Sequence, residues 1–100
     1  MSTNAVIEVE GIEFAEIWKH WDGYPEATLP WLTKFNKEFT EKRGDDPEYK
    51  FAQLLRSTKV CEEEFGLDRS DTTGWGVMKK NQMDGSYKYI LKKDGTVEVE

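Results

Sequence analysis

The chain has 100 residues with 37% hydrophobic, 34% charged and 13% aromatic side chains, one cysteine and a formal net charge of −6. That length sets the expectation at one domain, residues 1–100, with a single modest core. The aromatic content excludes the composition of a disordered chain, and the lone cysteine excludes both an internal disulfide and a zinc–thiolate cluster.

No run approaches the roughly 18 apolar residues that span a bilayer, and Met1 is not followed by a basic and then apolar leader. A soluble cytoplasmic domain without membrane contact is expected. With 20 acidic against 14 basic residues the surface does not draw in a phosphate backbone, so direct nucleic-acid binding is disfavoured.

Residues 5–21 alternate like a β-hairpin. Ile7 and Val9 flank Glu8, Ile12 and Phe14 flank Glu13, and Glu10-Gly11 lies between them as a two-residue turn. That turn sets Val9 opposite Ile12 and Ile7 opposite Phe14, with all four on one face. The second strand continues through Ile17, Trp18 and His20 and stops at Asp22-Gly23-Tyr24-Pro25, a corner where Pro25 holds Tyr24 extended.

Thr28 is the expected N-cap of a first helix carrying Trp31, Leu32, Phe35 and Phe39 at helical spacing. Pro30 then falls in the first turn, whereas a start at Pro25 would put Pro30 inside the helix as a kink. Lys42 and Arg43 suit the negative end of the dipole, and Gly44 is the natural stop. A second helix follows at once, capped by Asp46 with Pro47 in its first position. Its apolar stripe runs through Phe51, Leu54, Leu55, Thr58, Cys61 and Phe65, and Gly66 ends it.

Residues 67–74 read as a polar loop. Three strands are expected after it, at 75–80, 86–92 and 96–99, joined by turns at Met83-Asp84-Gly85 and Lys93-Asp94-Gly95. At the last turn a three-residue loop with Gly95 in the left-handed region pairs Leu91 with Val97 and Tyr89 with Val99. It sets Tyr87, Tyr89, Leu91, Val97 and Val99 on one face and Lys88, Lys92 and Glu98 on the other. The expected fold is α+β, an antiparallel β-sheet with two helices packed on one face, in the order β-β-α-α-β-β-β.

The run His20-Trp21-Asp22-Gly23-Tyr24-Pro25-Glu26 resembles the signature of a family of small uncharacterised proteins from phages, prophages and other prokaryotic genomes. In that family a His-x-Asp-Gly-Tyr-Pro-Glu run follows an N-terminal strand and opens onto a helix. The similarity extends over Ile17-Trp18, Leu32, and the Tyr87-Lys88-Tyr89-Ile90 strand with its Asp94-Gly95 turn. Relatives carry Gly shortly after the Glu, where this chain has Ala27 and Thr28. The family has no activity to carry over, so the resemblance implies fold and phage or prokaryotic origin alone.

Two chemistries compete at this corner. In one, His20 is a general base or ligand, Asp22 orients it, Tyr24 donates to a substrate, and the amides opening the first helix receive an anion such as the phosphate of a metabolite. In the other, Asp22 takes part in the turn, Gly23 adopts a positive φ, His20 holds the corner by a hydrogen bond, and Trp21 and Tyr24 cover the sheet edge. The second needs no catalysis to explain turn residues at a strand-to-helix junction, and it is favoured. One histidine excludes a His–His zinc centre, and nothing pairs Cys61 with His20. Asp68, Ser70 and Asp71 lack the calcium-loop pattern, Asp45-Asp46 serve capping, and Glu62 to Glu64 form a solvated helix end. Gly74-Trp75-Gly76 lacks the lysine of a phosphate cradle, although Trp75 could stack on a base or sugar.

The expected function is therefore non-enzymatic binding of a protein partner, with no cofactor, no metal and no catalytic residue. The candidate binding residues are His20, Trp21, Asp22, Tyr24, Glu26 and Trp75. The alternatives are a small-ligand protein or enzyme working through His20, Asp22 and Tyr24 on a phosphate-containing metabolite, and an acidic inhibitor that fills the basic groove of a nucleic-acid-handling partner. Pairing of a second copy at the edge strand 96–99 is open to the chain.

Overall fold

A computed structural model describes residues 3–20, 22–64, 75–81 and 85–100. Its elements are β1 (Ala5–Val9), β2 (Ala15–Lys19), α1 (Pro25–Arg43), α2 (Pro47–Glu64), β3 (Trp75–Lys79), β4 (Tyr87–Leu91) and β5 (Val97–Val99). The five strands form one sheet in the order β3-β2-β1-β4-β5. One face supplies Ala5, Ile7, Val9, Ala15, Ile17, Tyr89 and Leu91 to a core closed by Trp31 and Leu32 of α1 and Phe51 and Leu54 of α2. Each large aliphatic side chain withdrawn there contributes about 1.5–3 kcal/mol, and this burial is what holds two helices of modest amphipathicity against the sheet. The α+β class and element order agree with the sequence. Among the described residues no helix is long and apolar enough to cross a membrane.

The sheet is mixed, which corrects the all-antiparallel expectation. β1 pairs β4 in parallel, Ala5 with Tyr87 through Val9 with Leu91, while the other three pairings are antiparallel. The reason is where β3 goes. It joins the outer edge of β2 and so points the same way as β1, and the chain must travel back along the sheet before β4 can begin. The return leans on polar groups of β1 and β2 that face away from the helices. Lys80 Nζ donates to the Ile12 carbonyl at 3.1 Å and lies 3.4 Å from the Glu8 carboxylate. The Asn81 amide donates to Glu16 Oε1 at 3.1 Å. Gly85 is seated on β1, where a Cβ would stand 3.0 Å from the Val6 nitrogen. β3 and β4 are not neighbours and so form no hairpin; Met83 and Asp84 of the expected turn lie outside the described residues.

Glu8 and Glu16 are only 5% and 1% exposed, although their alternation with core residues marks the face that carries no helix. Lys88 Nζ stands 2.9 Å from Glu8, and that carboxylate holds the Lys88 ammonium above the usual lysine range. The far face therefore combines buried carboxylates and their lysine partners with apolar side chains such as Val6.

The first hairpin also departs from its expected register. Ala5 faces Lys19 and Ile7 faces Ile17, so Ile7 does not meet Phe14. The Ile12 amide does return to the Val9 carbonyl at 3.0 Å, and Gly11 takes φ 100°, so the tight turn forms. The strand resumes only at Ala15. Pro47 packs on this turn, 3.1 Å from where a Gly11 Cβ would lie, and within it Ile12 is 1% and Phe14 67% exposed.

α1 begins at Pro25 and not after Thr28, with Tyr24 as the N-cap. Pro25 brings a preset φ to the first position, where its missing amide costs nothing. The Thr28 hydroxyl does not cap an amide; it donates back to the Asp22 carbonyl at 2.7 Å. Pro30 sits inside α1 on its exposed side, where water can satisfy the carbonyl it leaves without a donor. Gly44 at φ 70° ends the helix, and its amide donates to Thr40 O at 2.9 Å. Asp46 precedes α2 where expected, its carbonyl taking the Lys50 amide at 2.9 Å, but its carboxylate meets Arg43 at 3.1 Å and does not cap an amide. The expected end at Gly66, like Phe65, lies outside the described residues.

The β4–β5 turn has the expected register, Leu91 with Val97 and Tyr89 with Val99, with Gly95 at φ 96°. Two buried polar side chains pin it to the helices. Asn36 Nδ2 donates to the carbonyls of Lys92 (3.0 Å) and Thr96 (2.7 Å), and Lys50 Nζ reaches Lys92 O at 3.3 Å. Burial of the Lys50 ammonium pushes its pKa down.

Candidate functional site

The strand-to-helix corner is built around Gly23. Its amide donates to the Thr3 carbonyl at 2.8 Å, and its carbonyl accepts the Tyr89 hydroxyl at 2.6 Å. A Cβ on Gly23 would lie 2.6 Å from the Asn4 carbonyl carbon and 2.8 Å from Ala5 Cβ. Glycine is required here by crowding. The positive φ expected at Gly23 belongs to Asp22, at 54°, a residue whose short polar side chain tolerates the left-handed region. Beyond it Tyr24 is extended at φ −70°, ψ 156°, and its carbonyl accepts the amides of Ala27 and Thr28, each at 3.1 Å.

Tyr89 is the residue the sequence reading passed over. Strand parity points it into the core, where it is 0% exposed, and a hydroxyl there needs a partner. It finds one across the sheet end in the corner itself, with the Thr28 hydroxyl alongside. Desolvation pushes the phenol up to about 12 from an ordinary 10.0. Tyr89→Phe should cost about 1–2 kcal/mol, because the Gly23 carbonyl loses its donor without any change in packing. The sign with pH follows from the raised value. The folded state holds this proton more tightly, so the stabilisation is complete below pH 10 and is lost as the pH rises toward 12. Urea midpoints between pH 9 and 12 should fall less steeply for Tyr89→Phe than for the parent chain; parallel curves would remove Tyr89 from the account.

Of the candidate binding residues, His20, Asp22, Tyr24 and Glu26 stand together in the corner, and Trp21 lies outside the described residues. His20 and Asp22 are half-buried and engage neighbours within the fold. Tyr24 is 37% exposed and Glu26 is exposed, so these two form the rim. Trp75 is brought next to the corner by its pairing with Lys19. Its ring is not a bare platform. It meets Trp31 edge-on at 5.5 Å and 78°, and Lys19 Nζ lies 5.1 Å from its centroid. Trp31 in turn donates from Nε1 to Ser57 Oγ at 3.1 Å, tying α1 to α2. The loop residues Asp68, Ser70 and Asp71 lie outside the described residues, and among the described ones no group of three His, Cys, Asp or Glu is placed to hold a metal ion.

The chemistry open to this arrangement is limited by what the fold already uses. The backbone groups of Asp22, Gly23 and Tyr24 named above are committed to internal hydrogen bonds. What remains outward is the phenol of Tyr24 and the carboxylate of Glu26. Comparison with protein-family models, with curated proteins and with solved structures returns no match.

Proposed function

We propose that this chain is a small non-enzymatic binding protein of phage or prokaryotic type, acting in the cytoplasm on a protein partner through the rim of the corner from His20 to Glu26. The observation that carries the reading is the commitment of the corner's polar backbone to Thr3, Thr28 and Tyr89. A corner locked in this way presents Tyr24 and Glu26 rigidly. An aromatic anchor beside a carboxylate suits a basic, partly apolar face on the partner, and the net charge of −6 steers the same encounter. Kinship with the His-x-Asp-Gly-Tyr-Pro-Glu family belongs to this proposal and rests on the heptapeptide.

The second reading, a ligand site for a phosphate-containing metabolite, draws on the same His20, Asp22 and Tyr24 at the opening of α1. An amide-resolved NMR titration against divalent metals and a nucleotide panel separates the two. Under the binding-protein reading the panel leaves residues 20–26 unmoved, and Tyr24→Ser with Glu26→Lys abolishes co-purification of the partner while preserving the melting temperature. Saturable shifts gathered at the corner, eliminated by His20→Ala in a protein that still folds, would replace it with the ligand reading.

A further inference from the structure

The outer face of α2 carries a charged row that is complementary to itself when reversed. Glu48, Ala52 and Arg56 follow at four-residue spacing, which stacks them along one line of the helix, and all three are exposed. Tyr49 flanks the row on one side at 43% exposure, and Leu55 on the other at 36%. On the Leu55 side the apolar surface continues to Phe14, 67% exposed, whose ring lies 6.3 Å from that of Phe51.

The charges at the two ends of the row are the informative part. Arg43, Glu8, Glu10, Lys88 and Lys92 all form ion pairs within the chain. Among the described residues Glu48 and Arg56 form none, and two helical turns, about 12 Å, keep them from each other. A second α2 laid antiparallel across Ala52 sets each Glu48 beside the other copy's Arg56, giving two ion pairs related by a two-fold axis. The small Ala52 at the crossing lets the helix axes approach to the usual 8–10 Å or so. Tyr49 and Leu55 then close over the contact from both sides. A patch that continues from a helix flank to an exposed phenylalanine, bounded by complementary charges, has the make-up of an isologous interface.

We propose that this face of α2 docks a second copy of the chain in a two-fold dimer. The proposal is independent of the corner at residues 20–26. Sedimentation velocity on the full chain, from micromolar to several hundred micromolar, should show a reversible monomer–dimer equilibrium. Arg56→Glu and Glu48→Arg each place like charges opposite one another and should weaken self-association about tenfold or more. Mixed in equal amounts, the two variants regain opposite charges at both ends and should recover the dimer as a heterodimer. Leu55→Gln weakens it without a change of charge and stands in should either charge variant fail to fold. A parent chain that stays monomeric throughout, variants that dimerise like the parent, or a mixture that stays monomeric would each overturn the proposal.

Discussion

Gly23→Ala should be the most damaging single-methyl change in this chain. The added carbon would stand 2.6 Å from the Asn4 carbonyl carbon, 2.7 Å from its oxygen and 2.8 Å from Ala5 Cβ. Two of these are backbone atoms, so no rotamer change relieves the contact and the segment leading into β1 has to move. That segment is tied on both sides, by Thr3 O to the Gly23 amide and by Asn4 Oδ1 to the Ser86 amide, each at 2.8 Å. Overpacking of about 1–3 kcal/mol combines with weakening of these bonds and of the Tyr89 bond, at about 1 kcal/mol each. A loss of about 3–5 kcal/mol is expected, a large part of the roughly 5–15 kcal/mol that holds a domain together. Thermal melting should report a fall of about 15–25 °C. Gly44→Ala is the internal control, strained at φ 70° but with nothing within 4 Å of the new carbon. If Gly23→Ala melted no lower than Gly44→Ala, crowding at the corner would not be the reason for glycine there.

Trp31→Ala should cost a comparable amount by a different route. Trp31 is 2% exposed and joins three elements: α1, which carries it, α2 through the bond to Ser57, and β3 through its edge contact with Trp75. Removing so large a buried ring costs about 3–5 kcal/mol in lost transfer and cavity. The Ser57 hydroxyl still has the Leu54 carbonyl as its acceptor at 2.9 Å, so it is not stranded. The diagnostic consequence lies at Trp75, which loses its edge contact with Trp31. Denaturation with urea should give the stability loss, and Trp75 amide and indole resonances should shift well beyond the immediate neighbours of position 31. A loss below about 1 kcal/mol would mean that α1 and α2 are held by other contacts.

Which features could be read from the sequence follows from how local their causes are. The β4–β5 register was legible because Gly95 marks one left-handed position and strand parity then fixes every side chain around it. The start of α2 was legible for the same reason, since Asp46 and Pro47 act on their own neighbours. The first hairpin was not. Ile12 and Phe14 share a spacing, yet one joins the core and the other is exposed, beside a turn packed on Pro47 from 36 residues away in sequence (47 against 11). The parallel pairing was hidden behind a turn-like Met83-Asp84-Gly85. It follows from β3 joining the outer edge of β2, and the return past it is held by Lys80 and Asn81 on Glu8 and Glu16, two glutamates whose alternation reads as solvent-facing. At the corner the heptapeptide marked the place, and the chemistry of its glycine was misassigned. Crowding by Asn4 and a bond from Tyr89 are long-range facts, and neither leaves a mark within the seven residues.

The central position of β1 bears on how the chain is made. Its antiparallel neighbour β2 follows after one short turn, but its other neighbour, β4, lies roughly 80 residues further on. On the ribosome the first strand therefore emerges well before β4 and waits with one edge unpaired while the residues between them are made. Nor can α1 settle finally, because the corner that launches it is fastened by Tyr89, which is synthesised 66 residues after Gly23. Folding of this small domain is thus tied to the synthesis of β4: ribosome-stalled products ending before β4 expose an apolar strand edge of the kind that chaperones bind and that other chains pair with.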